Sequence, residues 1–219
     1  MSSNTKFARP VSPRLQSAPV IAVLRAGHAS DYAPVVEALM AGGITSVELT
    51  LSTPGVIEEL PILRRQFGTS IDLGVGTVTT LSEVDPLIDA GVDYLVTPTT
   101  RSEIVDRAVS RGTPIFPGGL TPSELHEGWS HGASAVKVFP ASVFGPNYIS
   151  HLRGPFPEIQ VIPSGGLSLK SAVEWMRAGA LAVSLGGPLL RDAFEGGDLK
   201  SLSERSVRVV EQVKEFSAS

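Results

Sequence analysis

Residues 31–51 read DYAPVVEALMAGGITSVELTL. The first dozen place Val35, Val36, Leu39 and Met40 at helical spacing, and the last six alternate as a half-buried strand does. Gly42 follows Ala41 where the two meet, and glycine there suits a left-handed cap that ends a helix and turns the chain back. The unit recurs along the chain. Branched apolar runs, PVIAVL, SVELTL, IDLGVG, DYLVTP, PIFPGG, AVKVFP, QVIPSGG and AVSLGG, begin near Pro19, Ser46, Ile71, Asp93, Pro114, Ala135, Gln160 and Ala182, at intervals of 21 to 27 residues. Helix-spaced segments such as VIEELPILRRQFG and SLKSAVEWMRAG lie between them. The same junction returns at Ala90-Gly91, Arg111-Gly112, His131-Gly132 and Ala178-Gly179, while Ser82, Ser102, Thr121 and Ser168 stand where N-caps belong.

Strand and helix alternating with short links predict a parallel α/β sheet, and eight units predict closure into a single-domain (β/α)8 TIM barrel. The competing topology, an open doubly wound sheet, usually carries a glycine-rich dinucleotide turn after its first strand; here that strand runs into VLRAGHAS, with no such turn. Residues 1–18, rich in Ser and Pro, are expected to form a flexible tail, and 19–219 the barrel, with LSERSVRVVEQVKEF as a final outer helix.

Composition narrows the function. With 219 residues, 42% hydrophobic and 18% charged, the chain can build one packed core. A net charge of −4 gives no electrostatic case for a nucleic-acid or membrane partner. The absence of cysteine removes disulfides, thiolate metal ligands and cysteine nucleophiles. No run approaches the roughly 18 apolar residues of a membrane span, and the N-terminus lacks the apolar centre of a signal peptide, so a cytoplasmic location is expected.

In such a barrel the chemistry gathers at the C-terminal ends of the strands. In VELT, alternation puts Glu48 and Thr50 on the face opposite Val47 and Leu49. In AVKVF, Val136 and Val138 face the helices, and Ala135, Lys137 and Phe139 face inward. A carboxylate and an amine therefore enter one enclosed space from different strands. They could form no more than a buried salt bridge. The chemical alternative is that apolar surroundings favour the neutral lysine, which attacks a ketone as a Schiff-base nucleophile while Glu48 moves protons. The protonated imine is then the electron sink for breaking a neighbouring carbon–carbon bond.

Ser164-Gly165-Gly166, ahead of a helix starting near Ser168, and Gly186-Gly187 on the last strand have the form of turns whose backbone N–H groups cradle a phosphate. Thr77 and Arg25 stand at strand ends as candidates for a carboxylate or hydroxyl of the substrate, and Pro98 shapes the wall. The four histidines have no ligand spacing, so neither a metal nor any other cofactor is expected.

The segments AGGITSVELTLSTP, GVGTV, VTPTT, FPGGLTPSE, KVFPASVFGPNYI and PSGGLS, in that order, resemble the 2-keto-3-deoxy-6-phosphogluconate aldolase family of class I aldolases, which includes 6-phosphogalactonate and 4-hydroxy-2-oxoglutarate aldolases. The resemblance runs from about Pro19 to about Leu190. It implies a lyase that releases pyruvate, with the Schiff-base lysine at Lys137, the proton-shuttling glutamate at Glu48, the threonine beside pyruvate at Thr77, and phosphate-binding glycines at Gly165 and Gly166 with Gly186 and Gly187 nearby. It also implies a homotrimer and a small-molecule keto acid substrate. The gluconate branch commonly reads TLRTP where this chain reads TLSTP, with Ser52 in place of the arginine. The expected reaction is cleavage of a 2-keto-3-deoxy-6-phospho sugar acid to pyruvate and glyceraldehyde 3-phosphate. The alternatives are 4-hydroxy-2-oxoglutarate cleavage to pyruvate and glyoxylate, a phosphosugar epimerase or isomerase on the same barrel, and a non-catalytic barrel that binds a sugar phosphate.

Overall fold

The structure, a computed structural model, describes residues 9–216. Nine strands, β1 (Val20–Leu24), β2 (Ser46–Thr50), β3 (Asp72–Gly76), β4 (Tyr94–Val96), β5 (Ile115–Phe116), β6 (Gly118–Gly119), β7 (Val136–Val138), β8 (Val161–Pro163) and β9 (Val183–Leu185), are all parallel to their neighbours. Six of them form one curled sheet in the order β5-β4-β3-β2-β1-β9, a half-barrel, and β6-β7-β8 form a second. Each apolar run named above begins within one residue of its strand.

The run PIFPGG supplies two strands because Pro117 has no N–H to give the ladder. The Thr97 hydroxyl takes up the interruption, accepting from the Gly118 N–H at 3.3 Å. Around the break, Thr97 N–H donates to Phe116 O at 3.3 Å and Lys137 N–H to Pro117 O at 2.8 Å. At the other edge, Ser164 and Ser184 form a parallel bridge, and Leu181 N–H donates to Val161 O at 2.9 Å.

Ten helices alternate with the strands: α1 (Pro13–Ser17), α2 (Tyr32–Ala41), α3 (Val56–Phe67), α4 (Val84–Asp89), α5 (Ser102–Ser110), α6 (Pro122–Ser130), α7 (Tyr148–Arg153), α8 (Leu169–Arg177), α9 (Gly187–Leu190) and α10 (Leu199–Lys214). Among the described residues no helix is long and apolar enough to cross a membrane. The five glycine junctions close as Schellman caps, in which the N–H two residues past the cap reaches back to the helix; Thr113 to Ala108 O at 2.9 Å and Ala180 to Trp175 O at 3.1 Å are two of them. The left-handed residue is the second of the pair at Gly91, Gly112, Gly132 and Gly179. At the first junction it is Gly43, φ 85°, one residue later than the reading from Ala41-Gly42. Gly42 is required for another reason: a Cβ there would lie 2.3 Å from Ser206 Cβ of α10. Thr121 and Ser168 cap α6 and α8 as expected, whereas Ser102 is the first residue of α5 and Ser82 lies inside a 3-10 turn capped by Thr80.

Side-chain alternation divides the core in two. Val47, Leu49, Val136 and Val138 pack outward with Leu39, Trp175 and Leu202 between strands and helices. Ile21, Tyr94, Phe116, Ala135 and Ile162 pack together on the inner face, and Val11 and Leu15 join them. This corrects the tail boundary. Residues 13–17 form α1, capped by the Ser12 hydroxyl, and Leu15 is 2% exposed because it covers the open lower end of the inner core. Asp72 at the start of β3 secures this segment through the Ser12 hydroxyl, Ser46 Oγ at 2.9 Å and Arg14 at 3.3 Å. The remainder of the expected tail, residues 1–8, lies outside the described residues.

Candidate active site

The upper, C-terminal ends of the strands enclose a pocket of about 410 Å³. All twelve residues singled out from the sequence line it: Arg25, Glu48, Thr50 and Thr77 on one side, Pro98, Lys137 and Phe139 on another, and the turns Ser164-Gly165-Gly166 and Gly186-Gly187 closing the ring. None of the four histidines does; His126 stacks on Phe156 and His131 binds Asp106.

Lys137 occupies the middle of β7, and its neighbours Val136 and Val138 are fully buried in the outer core, so its own side chain must point inward. Its Nζ lies 3.5 Å from Glu48 Oε1 and 5.4 Å from the Phe139 ring centre. Both charged side chains are almost wholly shielded from solvent, 9% and 2% exposed. Two glycines make the space. A Cβ on Gly76 would stand 1.9 Å from Glu48 Oε1, and one on Gly118, next to Lys137 in the sheet, 2.5 Å from Pro98 O. Below, the Tyr94 hydroxyl donates to Val47 O at 2.8 Å. Burial, and then the Glu48 charge, hold its phenol well above the usual range, so it remains a proton-bearing donor.

Thr77 takes φ 66°, a region that costs a residue of its kind about 1–3 kcal/mol and that concentrates at functional sites. Thr50 belongs to a chain of hydroxyls: Ser52 donates to it at 3.2 Å, Thr53 lies 3.4 Å away, and Thr53 in turn accepts from the Ala26 N–H. Ser52 is therefore tied to the pocket wall through Thr50, and Arg25 stands exposed at the rim.

The Ser164–Gly166 turn follows β8 and precedes α8. Gly165 and Gly166 take φ 85° and 72°, and a Cβ on either would strike Phe139 or Ser142, so only glycine fits both. The turn is pinned from outside, since Ala141 N–H donates to Ser164 O at 2.7 Å and Ser142 N–H to Gly165 O at 3.1 Å. Its backbone N–H groups and the N-terminus of α8 create a region of positive potential beside the pocket. Arg205 of α10 binds Leu189 O at 2.9 Å and Leu190 O at 3.4 Å, which anchors the short α9 behind Gly186 and Gly187.

Reading by motif passed over Ser184 and Gly76. Ser184 lines the pocket and is 3% exposed. The alternation that identified Lys137 also identifies Ser184, since Val183 and Leu185 belong to the outer core. Gly76 ends β3 and Gly118 begins β6, and each marks a close approach, to Glu48 and to Pro98 respectively.

Comparison with known proteins follows the same ground. Residues 11–204 match the family model described as KDPG and KHG aldolase. The chain is 34% identical over 174 residues to the 2-dehydro-3-deoxy-6-phosphogalactonate aldolase of Escherichia coli strain K12, covering 79% of this chain and 85% of that one. It is 31% identical over 187 residues to the 2-dehydro-3-deoxy-phosphogluconate aldolase of Dickeya dadantii, covering 84% and 87%. A solved KDPG aldolase of Legionella pneumophila, holding pyruvate captured at low pH as a covalent carbinolamine, is 29% identical with a TM-score of 0.82 over 91% of this chain and 98% of that one.

Proposed function

The chain belongs to the KDPG and KHG aldolase family, and from that premise we propose that it cleaves a 2-keto-3-deoxy-6-phospho sugar acid to pyruvate and glyceraldehyde 3-phosphate through an imine on Lys137. The observation that carries this reading is the approach of Lys137 Nζ to Glu48 Oε1, 3.5 Å, with both side chains shielded from solvent at the bottom of the pocket.

In this reading Nζ adds to the C2 carbonyl to form a carbinolamine, whose hydroxyl takes a proton from Glu48 and leaves as water, giving a protonated imine and an ionised Glu48. Glu48 takes the proton of the C4 hydroxyl. The C3–C4 bond breaks, its electron pair passes into the imine, and glyceraldehyde 3-phosphate departs. Glu48 returns the proton to C3 of the enamine, and water releases pyruvate and frees the lysine. Thr77 and Arg25 are assigned to the carboxylate of the pyruvate half and Thr50 to its positioning. Pro98 and Phe139 form the apolar walls. The turns at Ser164–Gly166 and Gly186–Gly187 receive the distal phosphate, a role favoured by their backbone donors and the dipole of α8.

We also read the two sheets as one closed (β/α)8 barrel in a single domain that includes α1. The bonds across the Pro117 break and the Ser164–Ser184 bridge favour closure. A homotrimer is proposed as well; Ile57 and Ile62, both more than 40% exposed on α3, offer apolar surface for such an assembly. A cytoplasmic location suits a phosphorylated substrate.

The test is incubation with pyruvate, reduction by borohydride and mass analysis. One reduced pyruvate per chain, lost in Lys137→Met, is expected; an unchanged mass refutes the mechanism. Cleavage of 4-hydroxy-2-oxoglutarate is the second reading, supported by the matching family model, which is described as KDPG and KHG aldolase. It would proceed independently of residues 164–166, because that acid carries no phosphate.

A further inference from the structure

Among the described residues, Ser184 Oγ is a buried side-chain polar atom with no hydrogen-bond partner. A buried hydroxyl left unpaired costs stability, so such a group persists where a ligand completes it. Ser184 is 3% exposed, lies on the inner face of β9, and lines the same pocket as Lys137 and Glu48. Across the sheet it stands beside Ile21, which has no polar side-chain atom, and beside Ser164, to which its hydroxyl makes no hydrogen bond.

We propose that Ser184 is a specificity-determining residue whose hydroxyl binds the C5 hydroxyl of the sugar acid, the group that becomes the C2 hydroxyl of glyceraldehyde 3-phosphate. The proposal rests on the imine and phosphate assignments above. With C2 on Lys137 of β7 and the phosphate at the turns that end β8 and β9, the carbon chain must cross β8 towards β9. Ser184 precedes Gly186 by two residues, which sets it about 6.6 Å deeper than that turn. The first hydroxyl reached inward from the phosphate is that on C5. The C4 hydroxyl is committed to Glu48, on a different strand. Ser184 thus meets the part of the substrate that bond cleavage leaves intact, which is where a group that selects without reacting belongs.

The experiment runs the reaction in the direction of addition, with pyruvate and one of two aldehydes: D-glyceraldehyde 3-phosphate, or 3-oxopropyl phosphate, which lacks the hydroxyl. Wild type should prefer the first by about tenfold in kcat/KM, the worth of one hydrogen bond. Ser184→Ala should reduce the ratio to about one by lowering the rate with glyceraldehyde 3-phosphate alone. Its thermal midpoint should hold or rise by a few degrees, since the variant removes an unpaired buried hydroxyl. The pyruvate–borohydride adduct should form in both proteins. An unchanged ratio in Ser184→Ala, an equal loss with both aldehydes, or a wild type indifferent to the hydroxyl would overturn the proposal while the adduct still stood. A wild type that forms no adduct would overturn the aldolase reading and this proposal with it.

Discussion

Gly76→Ala tests how finely the Glu48 carboxylate is placed. The new Cβ would lie 1.9 Å from Oε1, 2.5 Å from Cδ and 2.6 Å from Cγ of Glu48, where real Cβ contacts stay beyond 3.0 Å. The carboxylate must withdraw by about 1 Å or leave its rotamer, and either movement takes it off its 3.5 Å approach to Lys137. Displacing a reacting group by about 1 Å costs on the order of a hundredfold in rate. In an assay of pyruvate release from the phospho sugar acid, Gly76→Ala should therefore lose roughly a hundredfold in kcat. The backbone at position 76 is outside the left-handed region, so alanine fits the strand, and the overpacking costs about 1–3 kcal/mol of stability. The lysine is untouched, and borohydride should still trap pyruvate on the variant. A folded Gly76→Ala enzyme with unchanged kcat would refute the reasoning, because it would mean that the position of Glu48 does not govern proton transfer.

Gly166→Ala forces a left-handed alanine, at about 1–2 kcal/mol, against Ser142. It should raise KM for the phosphorylated acid about tenfold, the loss of roughly one charge-assisted bond, and leave hydroxyoxoglutarate cleavage unaffected, as steady-state kinetics with both substrates would reveal. Lys137→Met isolates Glu48 as an uncompensated buried charge and should cost about 3–5 kcal/mol in urea unfolding, whereas the double variant Lys137→Met/Glu48→Gln should recover much of that loss. Leu15→Ala should destabilise by about 2–5 kcal/mol in the same assay, the cost of a core cavity; a loss near zero would return residues 13–17 to the status of a tail.

What was legible in the sequence was local. Each strand announces itself by a branched apolar run, and each glycine junction by a backbone conformation that other residues resist, so register along the chain could be read to within a residue. Lys137 was legible because two valines flank it and fix its direction. The features that escaped depend on distant partners. Gly42 answers to Ser206 on the last helix, Gly76 to Glu48 and Gly74 to the Tyr94 ring, none of them adjacent in sequence. The segment around 11–17 looked like a tail because its composition is polar; only Val11 and Leu15 matter, and what they cover comes from β1, β4, β5 and β8 and from the residues just ahead of β7 and β9. Ser184 sits in a run read only for its glycines, and nothing local distinguishes a serine that needs a ligand from one that bonds its own backbone.

Lys137 lies at the shielded bottom of the pocket, 9% exposed, while Arg25 stands exposed at its rim. In the proposed reaction the fragment joined to Lys137 would come out last, since the aldehyde fragment would stand above it on the way to the rim. Product release is therefore ordered, with aldehyde leaving ahead of pyruvate. Inhibition patterns carry the signature: pyruvate should compete with the sugar acid for free enzyme, while glyceraldehyde 3-phosphate should inhibit noncompetitively.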